Sequence, residues 1–238
     1  MRLLALETAT DLVGTAVAVD AAATAACWSL GRRRHAESLA PMVHDVCRHA
    51  GVELSELDAI AVDVGPGLFT GLRVGLAMAN ALGTSLGIGV LGVGSLELLA
   101  EAAAEGGWRG ELASVVDARR GQVFVARFTV SDDGSVRGLG VPGRCRPDDL
   151  PALLTAGAPD GEVLAVGDGA LRYAGPLREV PGVRLAGPSA AFPSPPVLAS
   201  LASRRALREG LPEPGVPAHP EYLRAPDVNV GWVRRSRV

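Results

Sequence analysis

Apolar positions near the start of the chain form short runs, and helical spacings follow them. Three apolar runs within the first 30 residues, separated by short polar turns, predict an antiparallel meander of three strands. Helices and further strands then alternate, and the apolar residues of each helix recur every three or four positions. The predicted strands are Arg2–Thr8, Val13–Val19, Thr24–Leu30, Ala59–Val64 and Ile88–Gly92, and the predicted helices are Glu37–Ala50, Thr70–Leu86 and Ser95–Glu105.

The same kind of pattern starts again after Gly106 and Gly107. An apolar strand, a polar turn and a return strand open both halves, which predicts a duplicated βββαβα architecture. We therefore expect two lobes, at residues 1–106 and 107–224, followed by a loose, basic tail at residues 225–238. The predicted elements of the second lobe are the strands Leu112–Val116, Gln122–Val130 and Val163–Val166, and the helix Pro195–Glu209.

A glycine turn connects the fourth strand to the second helix. Gly65-Pro66-Gly67 follows Val64, and the Thr70 hydroxyl is predicted to cap the helix. The free N–H groups and the dipole of a helix N-terminus favour phosphate, so this turn is a candidate nucleotide site. Both glycines could instead serve only the tight backbone turn, and the motif alone leaves the two interpretations open.

Small residues recur at every fourth position of the second helix, at Gly71, Gly75, Ala79 and Gly83. Because glycine inside a helix costs about 1 kcal/mol relative to alanine, this stripe indicates the close approach of another backbone. That backbone could belong to the same fold or to a second subunit.

Composition narrows the possible functions. Hydrophobic residues make up 48% and charged residues 21% of the 238 residues, as in an ordinary globular protein. The net charge of −3 and the aromatic content of 4% disfavour a broad nucleic-acid surface and a base-stacking platform. The chain has no lysine, which excludes a P-loop and a Schiff-base enzyme.

The three cysteines, Cys27, Cys47 and Cys145, are spaced too widely for a zinc motif or a disulfide framework. Together with a first strand that begins at the N-terminus without a signal peptide, they predict a cytoplasmic protein. The second helix is too short and too polar for a membrane span, so no association with a membrane is expected.

The duplicated halves predict an α/β fold of the actin-like or sugar-kinase-like type, in which hairpin turns and glycine turns face one nucleotide cleft. Glu7 and Asp117 could bind magnesium there or accept hydrogen bonds from turn amides, and the second interpretation is favoured. Arg119 could hold a phosphate or remain solvated. The candidate nucleotide- or phosphate-binding residues are Glu7, Thr8, Thr10, Gly65, Gly67, Thr70, Asp117, Arg119, Gly167, Asp168 and Gly169.

The pattern contains no recognisable catalyst or metal site. His44 and His49 are five residues apart on a predicted helix, so their side chains diverge and cannot easily share a metal ion. No cysteine or serine stands beside a base in the arrangement of a nucleophilic enzyme. We therefore expect no catalytic residue and no metal ligand in the chain.

Seven successive segments, which span nearly the whole chain up to Arg224, match one family. They are L-L-A-L-E-T-A-T (Leu3–Thr10), H-A-E-S-L-A-P-M-V (His35–Val43), L-D-A-I-A-V-D-V-G-P-G-L-F-T-G-L-R-V-G (Leu57–Gly75), G-V-G-S-L-E-L-L-A (Gly92–Ala100), V-D-A-R-R-G-Q-V-F (Val116–Phe124), V-G-D-G (Val166–Gly169) and Y-L-R (Tyr222–Arg224). On these segments the chain resembles the TsaB family, the partner subunit of the bacterial tRNA threonylcarbamoyladenosine enzyme. Glu7 and Leu68 depart from the aspartate and serine that are common in the family.

The resemblance implies an actin-like, two-lobed subunit that is not itself an enzyme. It implies pairing with the catalytic transferase TsaD, which the ATPase TsaE joins, and a homodimer when the subunit is alone. The complex modifies the adenosine beside the anticodon of tRNAs that read codons beginning with A, so contact with tRNA would be indirect. ATP or ADP with magnesium could bind at the shared interface. We expect two helices, Glu37–Ala50 and Thr70–Leu86, to form the dimer face through Leu39, Val43, Val46, Gly71, Leu72, Gly75, Leu76, Ala79 and Gly83.

Enzyme alternatives stay open at this point. An ATP-dependent transferase or a small-molecule kinase of the same fold would need a catalytic aspartate or a metal pair in the cleft. The transferase paralogue uses a His-x-x-x-His pair, which His35, His44 and His49 do not supply. A peptidase would need a nucleophile or a metal that the sequence does not display.

Overall fold

Two five-stranded sheets packed against helices form the part of the chain that the computed structural model describes, residues 1–31, 35–156 and 162–223. The first sheet contains β1 (Arg2–Glu7), β2 (Leu12–Val19), β3 (Ala22–Leu30), β4 (Ala59–Gly65) and β5 (Gly89–Gly94). The second contains β6 (Gly110–Arg119), β7 (Gln122–Val130), β8 (Val136–Cys145), β9 (Val163–Val166) and β10 (Val183–Leu185). The helices are α1 (His35–Ala50), α2 (Phe69–Leu86), α3 (Ser95–Glu105), α4 (Leu150–Thr155), α5 (Asp168–Arg172), α6 (Ala174–Arg178) and α7 (Pro195–Glu209).

The two sheets have the same strand order, β3-β2-β1-β4-β5 in the first and β8-β7-β6-β9-β10 in the second. In each sheet the first three strands of the chain pair antiparallel, and the last two are added in parallel. This repeated topology is the duplication that the sequence pattern predicted. It confirms the actin-like, two-lobed α/β fold.

The central strands β1 and β4 are buried on both faces, and their alternating side chains supply two separate cores. Leu4 and Leu6 point to the core that α1 and α2 cover. Leu3 and Ala5 point to the opposite core, which α7 covers. The second face is rich in alanine, so α7 can lie close to the sheet.

Helix α7 follows the second sheet in the chain but packs against the first. Its buried Leu198, Leu201 and Ala202 belong to the alanine-rich core, and Arg204 pairs with Glu101 of α3 at 3.2 Å. The predicted boundary at residue 107 therefore separates the sheets but places α7 in the wrong lobe. The reason is that an apolar helix face does not reveal from sequence which sheet it covers.

The sequence pattern predicted no regular structure between Val130 and Val163, where the structure has β8 and α4. β8 is an edge strand with no buried side chain, so it lacks the apolar alternation of a half-buried strand. α5, α6 and β10 contain only five, five and three residues, too few to show a period. The predicted tail at residues 225–238 lies outside the described residues. No helix in the described part is long and apolar enough to cross a membrane.

Candidate functional site

A cleft of about 650 Å³ lies between the two lobes, at the turns that the sequence singled out. The first lobe contributes Asp11 from the β1–β2 turn, His35 from the start of α1, and the first turn of α2. The second lobe contributes Arg119 from the β6–β7 turn and Arg172 from α5. Of the predicted phosphate-binding residues, Thr70 and Arg119 line the cleft.

Arg119 bridges the lobes. Its Nη2 lies 2.8 Å from Oδ1 of Asp11 in the first lobe, and its Nη1 lies 2.8 Å from Oδ2 of Asp117 in its own lobe. Arg172 reaches the same Asp117 oxygen, with its Nε at 3.4 Å. Burial opposes the charge of Arg119, but Asp11 and Asp117 outweigh burial and raise the pKa of the guanidinium. The roles predicted for Arg119, phosphate binding or solvation, did not include this ion pair across the lobes.

Asp117 and Asp168 stabilise the turns of the second lobe by accepting hydrogen bonds from backbone amides. Oδ1 of Asp117 accepts the N–H of Arg119 at 2.9 Å, and Oδ1 of Asp168 accepts the N–H of Asp117 at 2.9 Å. Burial raises the pKa of Asp168, and the charge of Asp117 adds to this effect. Gly169 packs against the same strand, where a Cβ would crowd the Asp117 amide. The structure thus places Asp117 in the favoured role, as an acceptor for a turn amide.

Glu7, Thr8 and Thr10 are buried inside the first lobe rather than exposed in the cleft. Oε1 of Glu7 accepts the N–H of Ala9 at 2.8 Å, and the Thr8 hydroxyl donates to the carbonyl of Gly71 at 2.9 Å. These side chains fix the β1–β2 turn and join it to α2. The three side chains therefore face the interior rather than the cleft, and a phosphate contact of these residues stays a prediction.

The two glycine turns occupy corresponding places after β4 and β9, and Gly65 and Gly167 share a φ of 103°. A Cβ at Gly67 would overlap the carbonyl of Ala9, and a Cβ at Gly167 would overlap the carbonyl of Val115. Both turns need glycine because turn and strand backbones touch there. The sequence left open whether the glycines after β4 bind a phosphate or only make a tight backbone turn. This packing gives a direct structural reason for the tight turn.

The predicted cap of the second helix is wrong. Helix α2 begins at Phe69 with Leu68 as its N-cap residue, so Thr70 lies exposed within the first turn. The N-cap residue of α3 is Gly94, and the buried Ser95 hydroxyl donates to Oδ1 of Asp63 at 2.6 Å. Backbone contacts, such as the Leu68 N–H on the Ala9 carbonyl at 2.6 Å, set these helix starts in place of side-chain caps.

The small residues of α2 face the chain's own first lobe. A Cβ at Gly71 or Gly75 would overlap Thr8, and a Cβ at Gly83 would crowd Val90. The stripe therefore serves packing within the fold, which was one of its two interpretations. All nine residues predicted for the dimer face are buried within the monomer, although Val43 also lines the groove described next, and this face stays a prediction: Leu39, Val43, Val46, Gly71, Leu72, Gly75, Leu76, Ala79 and Gly83.

The outer side of α1 and α2 carries a separate apolar groove of about 780 Å³, called here the α1–α2 groove. Ala40 and His44 of α1 are exposed along it, and Met78, Leu82 and Leu86 of α2 are half-buried in its floor. These side chains, rather than the small-residue stripe, form the outer surface of the two helices at the groove.

The arrangement in the inter-lobe cleft does not fit a magnesium nucleotide. Asp11 and Asp117 form ion pairs with Arg119 and Arg172, and Asp168 accepts a backbone amide. Among the described residues, no group of three or more His, Cys, Asp or Glu side chains could hold a metal ion. We therefore derive no step through a nucleotide or a metal, and the predicted ATP or ADP site stays a prediction.

Sequence reasoning singled out the turns but missed three cleft residues: Asp11 as a partner of Arg119, His35 and Arg172. Nε2 of His35 donates to the Thr10 carbonyl at 2.9 Å, which ties α1 to the β1–β2 turn. Arg172 lies in a helix too short to be predicted. The acidic end of the T-A-T-D turn was the one available signal for Asp11.

Two lobes of equal topology with a cleft between their hairpin turns define an actin-like, two-lobed α/β protein. The chain belongs to the TsaB (YeaZ) family, as the sequence resemblance predicted. It is 30% identical to YeaZ from Pseudomonas aeruginosa, and the structures align with a TM-score of 0.80 over 93% of this chain and 99% of that one.

The chain is also similar to the following proteins. The tRNA threonylcarbamoyladenosine biosynthesis protein TsaB of Escherichia coli K12 is 32% identical over 134 residues, 56% of this chain and 58% of that protein. An uncharacterized protein of Mycobacterium tuberculosis is 38% identical over 163 residues, 68% of this chain and 74% of that protein. The family model for TsaD, the tRNA N6-adenosine threonylcarbamoyltransferase, matches residues 29–140.

Proposed function

We propose that the chain is a non-catalytic partner subunit in the biosynthesis of threonylcarbamoyladenosine in tRNA, and that it acts by binding the catalytic transferase TsaD. Membership of the TsaB family supports the role in this pathway. The observation that carries the binding role is the apolar α1–α2 groove, whose floor is the outer edge of the first core. Contact with the tRNA would then come through the complex.

The match of residues 29–140 to the TsaD family model supports TsaD as the partner. The matched range contains both helices of the groove, so a TsaD chain would carry a corresponding helix pair. Two related helix pairs can pack across a pseudo-twofold axis, as identical surfaces do in an isologous dimer. The same geometry would let two copies of this chain pair until TsaD displaces one of them.

The side chains of the groove suit such an interface. Met78, Leu82 and Leu86 form an apolar centre, and a flexible methionine can adapt to a related but non-identical partner. Arg48 and Glu53 stand at the edge of the groove. An apolar centre with a polar rim is the usual anatomy of a protein–protein interface.

Leu82→Arg tests this surface directly, because it places a charge in the centre of the groove at a side chain that is only partly buried against the first core. We expect the affinity for TsaD to fall at least about tenfold, since a buried unpaired charge costs more than about 1.4 kcal/mol. Size-exclusion chromatography with light scattering on the mixed proteins measures the complex, and circular dichroism checks the fold.

Ala77→Arg is the matched control, since Ala77 is exposed on the same helix and does not line the groove. This variant should bind TsaD like the wild type. If Leu82→Arg also binds normally while its fold is intact, the α1–α2 groove is not the TsaD surface. An equal loss of TsaD binding in both variants would instead indicate that TsaD contacts a broader face of α2.

A second candidate, the enzyme of the same fold, has one observation in its favour. The chain is 44% identical over 68 residues to the tRNA N6-adenosine threonylcarbamoyltransferase of Erythrobacter litoralis, which is 29% of this chain and 20% of that protein. ATP turnover by the isolated chain that disappears in Asp117→Asn would support this candidate. The partner-subunit proposal expects no turnover in either protein.

TsaE as a third component and a nucleotide at the shared interface stay predictions. If a nucleotide enters the inter-lobe cleft, its phosphates would compete with Asp11 for the guanidinium of Arg119, which lies 2.8 Å from the carboxylate. Nucleotide binding by the complex would therefore require this ion pair to open.

A further inference from the structure

Two acids lie side by side in the interior of the first lobe. Glu7 ends β1 and Asp63 lies in β4, one position beyond the parallel Leu6–Val62 pair, and both acids are 0% exposed. The parallel register therefore places the two carboxyl groups next to each other, close enough for each to shift the pKa of the other. The mechanism proposed above uses neither group.

Each carboxyl group uses one oxygen for its own turn. Oε1 of Glu7 accepts the Ala9 N–H at 2.8 Å, while Oδ1 of Asp63 accepts the Gly65 N–H at 2.7 Å and the Ser95 hydroxyl at 2.6 Å. The remaining oxygens, Oε2 of Glu7 and Oδ2 of Asp63, are buried and receive no donor from the described residues. Within that part of the chain, neither acid forms an ion pair.

Two ionised carboxylates in this position would both lose hydration and repel each other. One proton removes both costs, because a protonated carboxyl becomes an O–H donor to its neighbour. Burial raises the pKa of Glu7 well above its ordinary value, and the charge of Asp63 raises it further. Burial likewise raises the pKa of Asp63, although its hydrogen bonds to Glu7, Ser95 and Gly65 oppose the effect.

The charged groups on neighbouring elements do not replace this proton. Glu221, whose N–H donates to the Val64 carbonyl at 2.8 Å, is a further acid and raises the pKa of Asp63. On α3, Ser95 supplies a neutral hydroxyl, and Glu97 is already paired with Arg205 of α7. Within the described part of the chain, the surroundings of the pair are therefore acidic or neutral.

We propose that Glu7 and Asp63 share one proton between Oε2 and Oδ2 at neutral pH, and that this proton ties the β1–β2 turn to the glycine turn after β4. The proton is a structural bridge between the two turns of the first lobe that border the inter-lobe cleft. Its loss would leave two adjacent carboxylates in the core and would loosen both turns.

The sign of the pH dependence follows from the raised pKa in the fold. In the unfolded chain both acids ionise near their ordinary pKa values of about 3.9 and 4.3. The proton's contribution to stability is complete below those values and is lost as the pH rises through the higher pKa of the folded pair. Over that window the folded state holds about one proton more, so the unfolding constant rises about tenfold for each pH unit.

Glu7→Gln and Asp63→Asn test the bridge, since an amide N–H₂ group can donate the same hydrogen bond without a titrating proton. The unfolding constant is measured by denaturant titration from about pH 5 to about pH 8, where the pH slope reports bound protons. We expect the one-proton slope of the wild type to disappear in both variants. Glu213→Gln, at an exposed loop position, should keep the wild-type slope.

Carbon-13 NMR of the side-chain carboxyl groups of the wild type gives a second readout that needs no variant to fold. One carboxyl signal should titrate well above the range of the exposed acids. The proposal is overturned if every carboxyl titrates in the ordinary range, or if folded amide variants keep the wild-type pH slope.

Discussion

Single residues decide how closely the helices of this protein approach its strands. Gly71 and Gly75 lie against Thr8, whose hydroxyl bonds the Gly71 carbonyl at 2.9 Å. This contact fixes the start of α2 over the β1–β2 turn. Alanine would stabilise an isolated helix, but its Cβ has no space at these two positions.

Gly75→Ala should destabilise the protein, although alanine favours a helix by about 1 kcal/mol. Its Cβ would overlap the Thr8 hydroxyl, and overpacking of this kind costs about 1–3 kcal/mol. We expect a lower midpoint of denaturant unfolding. A larger residue such as leucine would disrupt the lobe itself.

Gly175→Ala is the control for this prediction, because Gly175 lies in α6, where a Cβ would meet no atom within 4 Å and the backbone φ is not positive. It should be neutral or stabilising by up to about 1 kcal/mol. Equal effects of the two substitutions would show that the contact with Thr8 does not limit the approach of α2.

At the scale of elements, α2 is covered by the segment that follows α7, residues 211–223, called here the C-terminal strap. The Asn80 amide group donates to the Ala218 carbonyl at 3.0 Å and accepts the Ala218 N–H at 2.9 Å. Further along the strap, Tyr222 stacks on Phe69 with ring centroids 5.6 Å apart. The strap thus runs along α2 towards the mouth of the inter-lobe cleft.

Asn80→Ala should release the strap, because both hydrogen bonds to Ala218 are lost at about 1 kcal/mol each. Amide hydrogen exchange at Ala218 should become faster, while exchange in β1 stays slow. Asn80→Asp keeps an acceptor for the Ala218 N–H but loses the donor, so its exchange rate should be intermediate. Unchanged exchange in Asn80→Ala would mean that other contacts hold the strap.

The elements differ in how far the sequence could predict them. Helices α3 and α7 and strands β7 and β9 agree with their predicted bounds, because each has a clear apolar period or a bounded apolar run. β8 and the short helices α5 and α6 give no such signal. The Glu7–Asp63 pair could not be predicted either, because the sequence of one strand does not reveal which residue of the neighbouring strand lies beside a given acid.

At the scale of the whole molecule, the lobes are joined by the Arg119–Asp11 ion pair as well as by α3 and its contacts with both sheets. The sequence predicted both turns but not their contact. Arg119 and Asp11 are 108 positions apart in the sequence, so their contact depends on how the two lobes pack together.

A double-mutant cycle with Arg119→Gln and Asp11→Asn measures this connection. The two side chains are 30% and 22% exposed, so we expect a coupling energy of about 1 kcal/mol at low salt, reduced by added salt. Arg48 and Asp45 form an exposed pair within α1 at 3.7 Å. A double-mutant cycle on this pair should give a smaller coupling energy. A coupling near zero in the first cycle would show that the pair does not hold the lobes.

The claim that the chain is a partner subunit is tested most directly by the mass of the complex it forms. The wild-type chain and TsaD from the same organism are purified, mixed and analysed by size-exclusion chromatography with light scattering. The account predicts a one-to-one heterodimer that replaces any homodimer of the isolated chain. Separate elution of the two proteins, with and without nucleotide, would contradict it.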